Sequence, residues 1–112
     1  MEAAQCLSLA TSRCGDQVVI KIRGDMDFAS ADEMTSCIEN AVDERVKLCI
    51  LDCEQVTFID TEALKALILL RCRFARVGRG LRVQNCSRQL LRLLTLLGIR
   101  ELLGCPEDGE PG

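Results

Sequence analysis

Residues 47–64 read KLCILDCEQVTFIDTEAL. The run from Leu48 to Cys53 is short and nearly continuous in apolar residues, interrupted only by Asp52. Such a run suits a central strand covered on both faces, as in a parallel sheet. Residues 54–58, EQVTF, read as a connecting loop, and a helix is expected to begin at Asp60 or Thr61. Here a hydroxyl, Thr61, stands between two carboxylates, Asp60 and Glu62. Asp and Thr are good helix starters, because their side-chain oxygens accept from the free N–H groups of the first turn. That same helix start, with its free N–H groups and partial positive charge, also tolerates a phosphate. The residues alone leave both readings of Thr61 open, with the cap as the simpler one.

Working outward, residues 6–13 predict a weak strand and Cys14-Gly15-Asp16 a turn. QVVIKIRG, residues 17–24, alternates Val18, Ile20 and Ile22 against Val19, Lys21 and Arg23, the period of a strand with one face more buried. The short Gly-containing connection predicts a hairpin with the first strand as its antiparallel member. Ser30 and Glu33 have the spacing of a capping box, which places a helix start near Ala31. Met34, Ile38, Ala41 and Val42 then form one apolar stripe, with Asp32, Glu33, Glu39 and Asp43 on an acidic side. Beyond the Leu-rich helix, GRGLRVQN gives a turn and a strand with Leu81 and Val83 on one side. SRQLLRLLTLLG predicts a last helix, capped by Ser87 and stopped at Gly98. IRELL suggests a further short turn. The predicted order is ββαβαβα: an α/β single domain on a mixed, mostly parallel sheet of about four strands, with right-handed crossovers.

A chain of 112 residues has room for one core. The domain is expected over residues 1–104, and the polar Pro/Gly-rich stretch 105–112 is expected to be a disordered tail. With 48% hydrophobic and only 3% aromatic residues, the core must be aliphatic. A net charge of −3 and a pI near 5.0 give no footprint for nucleic acid. Arg71, Arg73, Arg76, Arg79 and Arg82 cluster in sequence but lack aromatic stacking partners, so they read as a solvated face. Eight cysteines are even in number. However, Cys49, Cys53 and Cys72 sit in apolar runs, no secretory leader is recognisable, and no Cys-x2-Cys pair offers a metal site. Buried thiols in a reducing cytoplasm are therefore expected. No segment reaches the ~18–20 apolar residues of a membrane span.

Chemistry is sparse. Without histidine there is no Ser-His pair and no histidine general base. Gly78 and Gly80 precede a strand instead of opening a helix, so they do not form a phosphate cradle. Asp52, Glu54 and Asp60 lack the further ligands a divalent site requires. No enzyme activity, cofactor or metal is expected.

Three stretches, in order, resemble one family. VVIKIRGDMDFAS is similar to a strand ending in Gly-x-x-Asp, here Gly24 and Asp27, ahead of a first helix. KLCILDCEQVTFIDTEAL is similar to a central strand leading into Asp-Ser-Ser/Thr-Gly-Leu. GRGLRVQNCSRQLLRLLTLLGIRELL is similar to a closing strand, helix and leucine-rich end. Over residues 6–103 the chain resembles a STAS domain, in the style of the stand-alone bacterial anti-sigma factor antagonists. The resemblance implies that it binds a kinase-like anti-sigma factor and so frees a sigma factor. It also implies that phosphorylation of the first hydroxyl after the Asp, here Thr61, ends the binding, and that a phosphatase restores it. Glu62 stands where the family has its second hydroxyl and Ala63 where it has glycine, while Leu64 keeps its place. These departures leave open a different partner, weak phosphorylation, or a partly pre-phosphorylated character.

The docking surface expected on this basis comprises Asp27, Asp60, Thr61, Glu62, Lys65 and Leu69. By helical spacing Glu62, Lys65, Leu69, Arg73 and Arg76 share one side of the helix. Two other roles fit the same resemblance: an accessory subunit docking on the cytoplasmic ATPase of a membrane transporter, and a small-ligand sensor.

Overall fold

A computed structural model describes residues 7–100. Seven elements follow one another as β1 (Ser8–Cys14), β2 (Gln17–Met26), α1 (Ala31–Asn40), β3 (Leu48–Ile59), α2 (Thr61–Arg76), β4 (Gly80–Gln84) and α3 (Arg88–Leu97). The expected order ββαβαβα holds. The strands lie in the order β1-β2-β3-β4. β1 runs antiparallel to β2, and the β2–β3 and β3–β4 pairs are parallel. Cys14 pairs with Gln17 across a two-residue turn whose first member, Gly15, takes φ +65°, a backbone that a residue with a Cβ rarely adopts.

Alternation decides the faces. Val18, Ile20 and Ile22 of β2 are buried in the same cluster as Cys49, Leu51 and Cys53 of β3 and Leu81 and Val83 of β4. Met34 and Ile38 of α1, Leu64, Leu67 and Leu70 of α2, and Leu90 and Leu94 of α3 complete that cluster. All three helices therefore gather on one face of the sheet. Lys21, Arg23, Arg82 and Gln84, at the alternate positions, are exposed on the other.

Four expectations are corrected. EQVTF is not a loop: β3 continues through it to Ile59, paired with β2 as far as Met26. The parallel register slips twice, between Lys21 and Arg23 and between Gly24 and Asp25, and each time β3 carries one extra residue. These bulges break the period of two, so Thr57 and Phe58 are both exposed between buried Val56 and Ile59. The Ser30–Glu33 capping box does not form. Ser30 occupies the N-cap position but makes no side-chain cap, because its hydroxyl is turned back onto Asp27 and Asp25. Cys72 is exposed, since its position on α2 faces away from the sheet, whereas Cys49 and Cys53 are buried as expected. Finally, the arginine cluster is not simply solvated. Arg71 donates to the Leu81 carbonyl, Arg73 pairs with Glu39 of α1, and Arg79 donates to the carbonyls of Val46 and Asp43.

Ser87 accepts from the Leu90 amide at 3.2 Å, and Gly98 closes α3 in the left-handed conformation at φ +69°, both as read from the sequence. The turn expected over 99–103 and the tail 105–112 run beyond the last described residue.

Candidate functional site

The end of β3 delivers Asp60 to the start of α2. Asp60 is the N-cap: its Oδ1 accepts from the Ala63 amide at 2.9 Å, while its backbone is extended at φ −109°, ψ 174°. Two links tie it to the last residue of β2 and to the segment that follows. The Asp60 amide donates to the Met26 carbonyl at 3.1 Å, and Oδ2 accepts from the Phe28 amide at 2.9 Å. One carboxylate thus closes the first turn of α2 and holds the connection between β2 and α1.

Thr61 is the first residue of α2 and is exposed. Because Asp60 supplies the cap, the Thr61 hydroxyl is not needed for it, and it forms no hydrogen bond to another described residue. Glu62 and Lys65, one turn apart, are paired at 3.7 Å on the exposed side. Leu69 follows on the same side at 62% exposed. Ala63, where the family resemblance leads one to expect glycine, is fully buried against the core.

Asp27 is half-buried and engaged. Its Oδ1 accepts from the Ser30 amide at 3.0 Å and lies 3.1 Å from the Ser30 hydroxyl, while the Asp27 amide donates to that hydroxyl at 3.0 Å. Asp27 therefore builds the turn ahead of α1, beside the Phe28–Asp60 link. A second carboxylate, Asp25, accepts from the Thr57 hydroxyl at 2.7 Å across the bulged end of β2 and β3.

Phe28 and Phe58 were missed by sequence reasoning. Of the three phenylalanines, only Phe74 is buried; Phe28 is 75% and Phe58 48% exposed. Phe28 is bonded to Asp60 through its amide, and Phe58 lies two residues before Asp60. In a chain so poor in aromatics, placing Phe two residues before the Asp-Thr pair was the available signal. Carboxylates rim this end of the sheet: Asp32 and Glu33 in the first turn of α1 and Glu62 in that of α2.

The sequence-derived residues therefore converge: Asp27, Asp60, Thr61 and Glu62 meet where β2 and β3 end, and Lys65 and Leu69 extend the surface along α2. Among the described residues no group of three or more His, Cys, Asp or Glu side chains is disposed to hold a metal ion. Asp52 accepts from the Glu54 amide at 3.2 Å and Asp60 has both oxygens committed. No helix among the described residues is long and apolar enough to cross a membrane.

The family model for the STAS domain matches residues 9–108. The chain belongs to the STAS domain family. Among solved structures, the fold is similar to that of an anti-sigma factor antagonist from Mycobacterium paratuberculosis, with a TM-score of 0.80 and 17% identity over 96% of this chain and 92% of that one. It is also similar to the Bacillus cell fate determinant SpoIIAA in its phosphorylated form, with a TM-score of 0.66 and 16% identity over 92% and 93% of the two chains. A sulfate transporter family protein from Wolinella succinogenes is 27% identical with a TM-score of 0.64, covering 77% of this chain and 70% of that one. The STAS fold expected from the three sequence stretches is thus the fold found.

Proposed function

We propose that this STAS domain is an anti-sigma factor antagonist, binding a kinase-like anti-sigma factor and released by phosphorylation of Thr61. The observation that carries this reading is the division of labour at the start of α2. Asp60 caps the helix, leaving the neighbouring Thr61 hydroxyl exposed and free at the position where the family resemblance places the phosphoacceptor. The fold shared with an anti-sigma factor antagonist and with a protein known in a phosphorylated form supports it.

In this reading the partner transfers the γ-phosphoryl group of ATP to Thr61 Oγ1, giving phosphothreonine and ADP and releasing the hydroxyl proton. A phosphatase later hydrolyses the ester to restore the hydroxyl. The docking surface comprises Asp27, Asp60, Thr61, Glu62, Lys65 and Leu69, together with Phe28 and Phe58. Two apolar rings fit a partner that offers an apolar pocket, with an acidic group of that partner facing the Thr61 hydroxyl. Phosphorylation adds about −1.5 to −2 charge at that hydroxyl. One unfavourable contact of like charge is worth about 1 kcal/mol in water and about 4 at an interface-like dielectric. A loss of about 3 kcal/mol weakens binding roughly a hundredfold. The domain itself stays folded, because a helix start accommodates the phosphate.

The deciding experiment is titration calorimetry of the kinase-like anti-sigma factor from the same genome against wild type, Thr61→Ala and Thr61→Glu, with mass spectrometry after incubation with ATP. Binding by wild type and Thr61→Ala but not Thr61→Glu, with one phosphate added at Thr61, is the expected result. Equal binding by all three, or no phosphate, overturns it. A second reading, docking on the ATPase of a membrane transporter, is favoured by the 27% identity to a sulfate transporter family protein. It would show as binding insensitive to position 61.

A further inference from the structure

We infer that Asp60 is a positioning residue through which charge on Thr61 reaches the Phe28 segment, so that phosphorylation withdraws an apolar docking ring as well as adding charge. The inference rests on the proposed switch and adds to it how the surface changes.

One carboxylate, Asp60, is used twice. Oδ1 takes the Ala63 amide and Oδ2 the Phe28 amide, each at 2.9 Å. Residues 28 and 60 are far apart in sequence, and this bond is the side-chain tie between the start of α2 and the turn that carries Phe28. Burial contributes little there, since Phe28 is 75% exposed. Among the described residues, Asp27 and Ser30 hold the other side of that turn through bonds to each other and to Asp25, and the Asp60 amide still holds the Met26 carbonyl at the end of β2.

A phosphate on Thr61 would be covalently next to Asp60 and would compete with it for the same positive helix end. Two anions one residue apart repel, and the cation nearest in sequence, Lys65, is already paired with Glu62 at 3.7 Å. The carboxylate can relieve the repulsion by giving up one partner. The Ala63 amide belongs to the helix and is buried, whereas the Phe28 amide lies in an exposed turn and can turn to water. Phe28 is therefore the partner released.

The test uses the full-length ¹⁵N-labelled protein with phosphothreonine installed at position 61 by amber suppression, beside unmodified protein, Thr61→Ala and Asp60→Asn. Amide exchange and amide proton shifts are read residue by residue. On phosphorylation the Phe28 amide should exchange about tenfold faster and lose the downfield shift of a carboxylate-bonded proton, with Ala63 and the sheet unchanged. Thr61→Ala should leave Phe28 as in wild type. Asp60→Asn, which keeps a single acceptor oxygen, should expose Phe28 without any phosphate. Unchanged Phe28 protection in the phosphoprotein overturns the inference, as does a uniform acceleration across residues 26–64, which would mean general loosening. Binding of the anti-sigma factor separates the two levels. If phosphorylation abolishes binding while Phe28 stays protected, the link through Asp60 is wrong and the switch stands. If Phe28 is released in the phosphoprotein but no kinase-like partner binds either form, the link stands and the switch is wrong.

Discussion

The Ser30 hydroxyl lies 3.1 Å from Oδ1 of Asp27 and accepts from the Asp27 amide at 3.0 Å, so it serves the turn before α1 and not the helix. The sequence pattern of a capping box is present, but the box is not made. Replacing Ser30 by Ala should cost about 1 kcal/mol in urea denaturation, the worth of a lost hydrogen bond that leaves a partner underused. Glu33→Ala should fall within about 0.5 kcal/mol of wild type, as an exposed position without a cap partner. A Glu33→Ala loss as large as that of Ser30→Ala would show that the box forms in solution.

The two residues at the start of α2 should separate cleanly by stability. Asp60→Ala removes the acceptor for the Ala63 amide and should cost about 1–2 kcal/mol. Thr61→Ala, at an exposed hydroxyl outside the cap, should change stability by less than about 0.5 kcal/mol. Equal losses in thermal or chemical denaturation would mean that Thr61 is part of the cap.

Phe28→Ser and Phe58→Ser should behave as interface variants. Phe28 is 75% exposed, so its removal forfeits little burial. Both variants should keep the melting temperature within a few degrees while weakening capture of the anti-sigma factor at least about tenfold, as loss of an aromatic anchor does. Retained affinity in both variants would remove the phenylalanines from the docking surface.

Much of this architecture was legible because two periodicities ran without interruption. The alternation at Val18, Ile20 and Ile22 and the stripe at Met34 and Ile38 are both buried as their spacing requires. The punctuation of α3 by Ser87 and Gly98 was equally plain, since each residue has one dominant backbone role there. The second half of β3 was not legible. Its two extra residues set Thr57 and Phe58 side by side in solvent, and a strand without alternation looks like a loop. Cys72 misled for a different reason: an apolar sequence neighbourhood does not fix which side of a helix a residue occupies. At the candidate site the family motif located Asp60 and Thr61, but the bond from Asp60 to Phe28 joins distant segments and leaves no local trace.

Thiol reactivity should follow burial. Of the six described cysteines, Cys14, Cys37 and Cys72 are exposed and should label in the native protein, whereas Cys49 and Cys53 should label only on unfolding. Burial pushes the Cys49 thiol up from 9.0 to about 12. The folded state therefore binds the proton more tightly than the unfolded one. Stability from this group is complete below about pH 9 and is lost as pH rises towards 12. Cys49→Ser should alter the alkaline limb of a stability–pH curve; an unchanged limb would contradict the shift.

An ion pair anchors the sheet edge at the far end. Arg13 of β1 bonds Asp43 at 2.8 Å, and this guanidinium, with help from the Arg45 amide, holds the Asp43 carboxyl at about 2 in place of 3.8. In Arg13→Ala the Asp43 carboxyl, followed by NMR, should titrate nearer 3.8. Since the folded pKa is depressed, whatever this pair adds to stability is present above about pH 4 and fades as pH falls through 2. No upward movement of the midpoint would mean that the pair is not populated in solution.

In the proposed switch, fold maintenance and signalling fall on consecutive codons. Because the cap rests on Asp60, position 61 can change without cost to the fold. On that reading, a single nucleotide change at codon 61 would turn a reversible antagonist into one that cannot be switched off, without creating a misfolded intermediate for selection to remove. Variation among descendants of this chain should accordingly concentrate at 61 and spare 60, so that regulatory behaviour diverges faster than architecture.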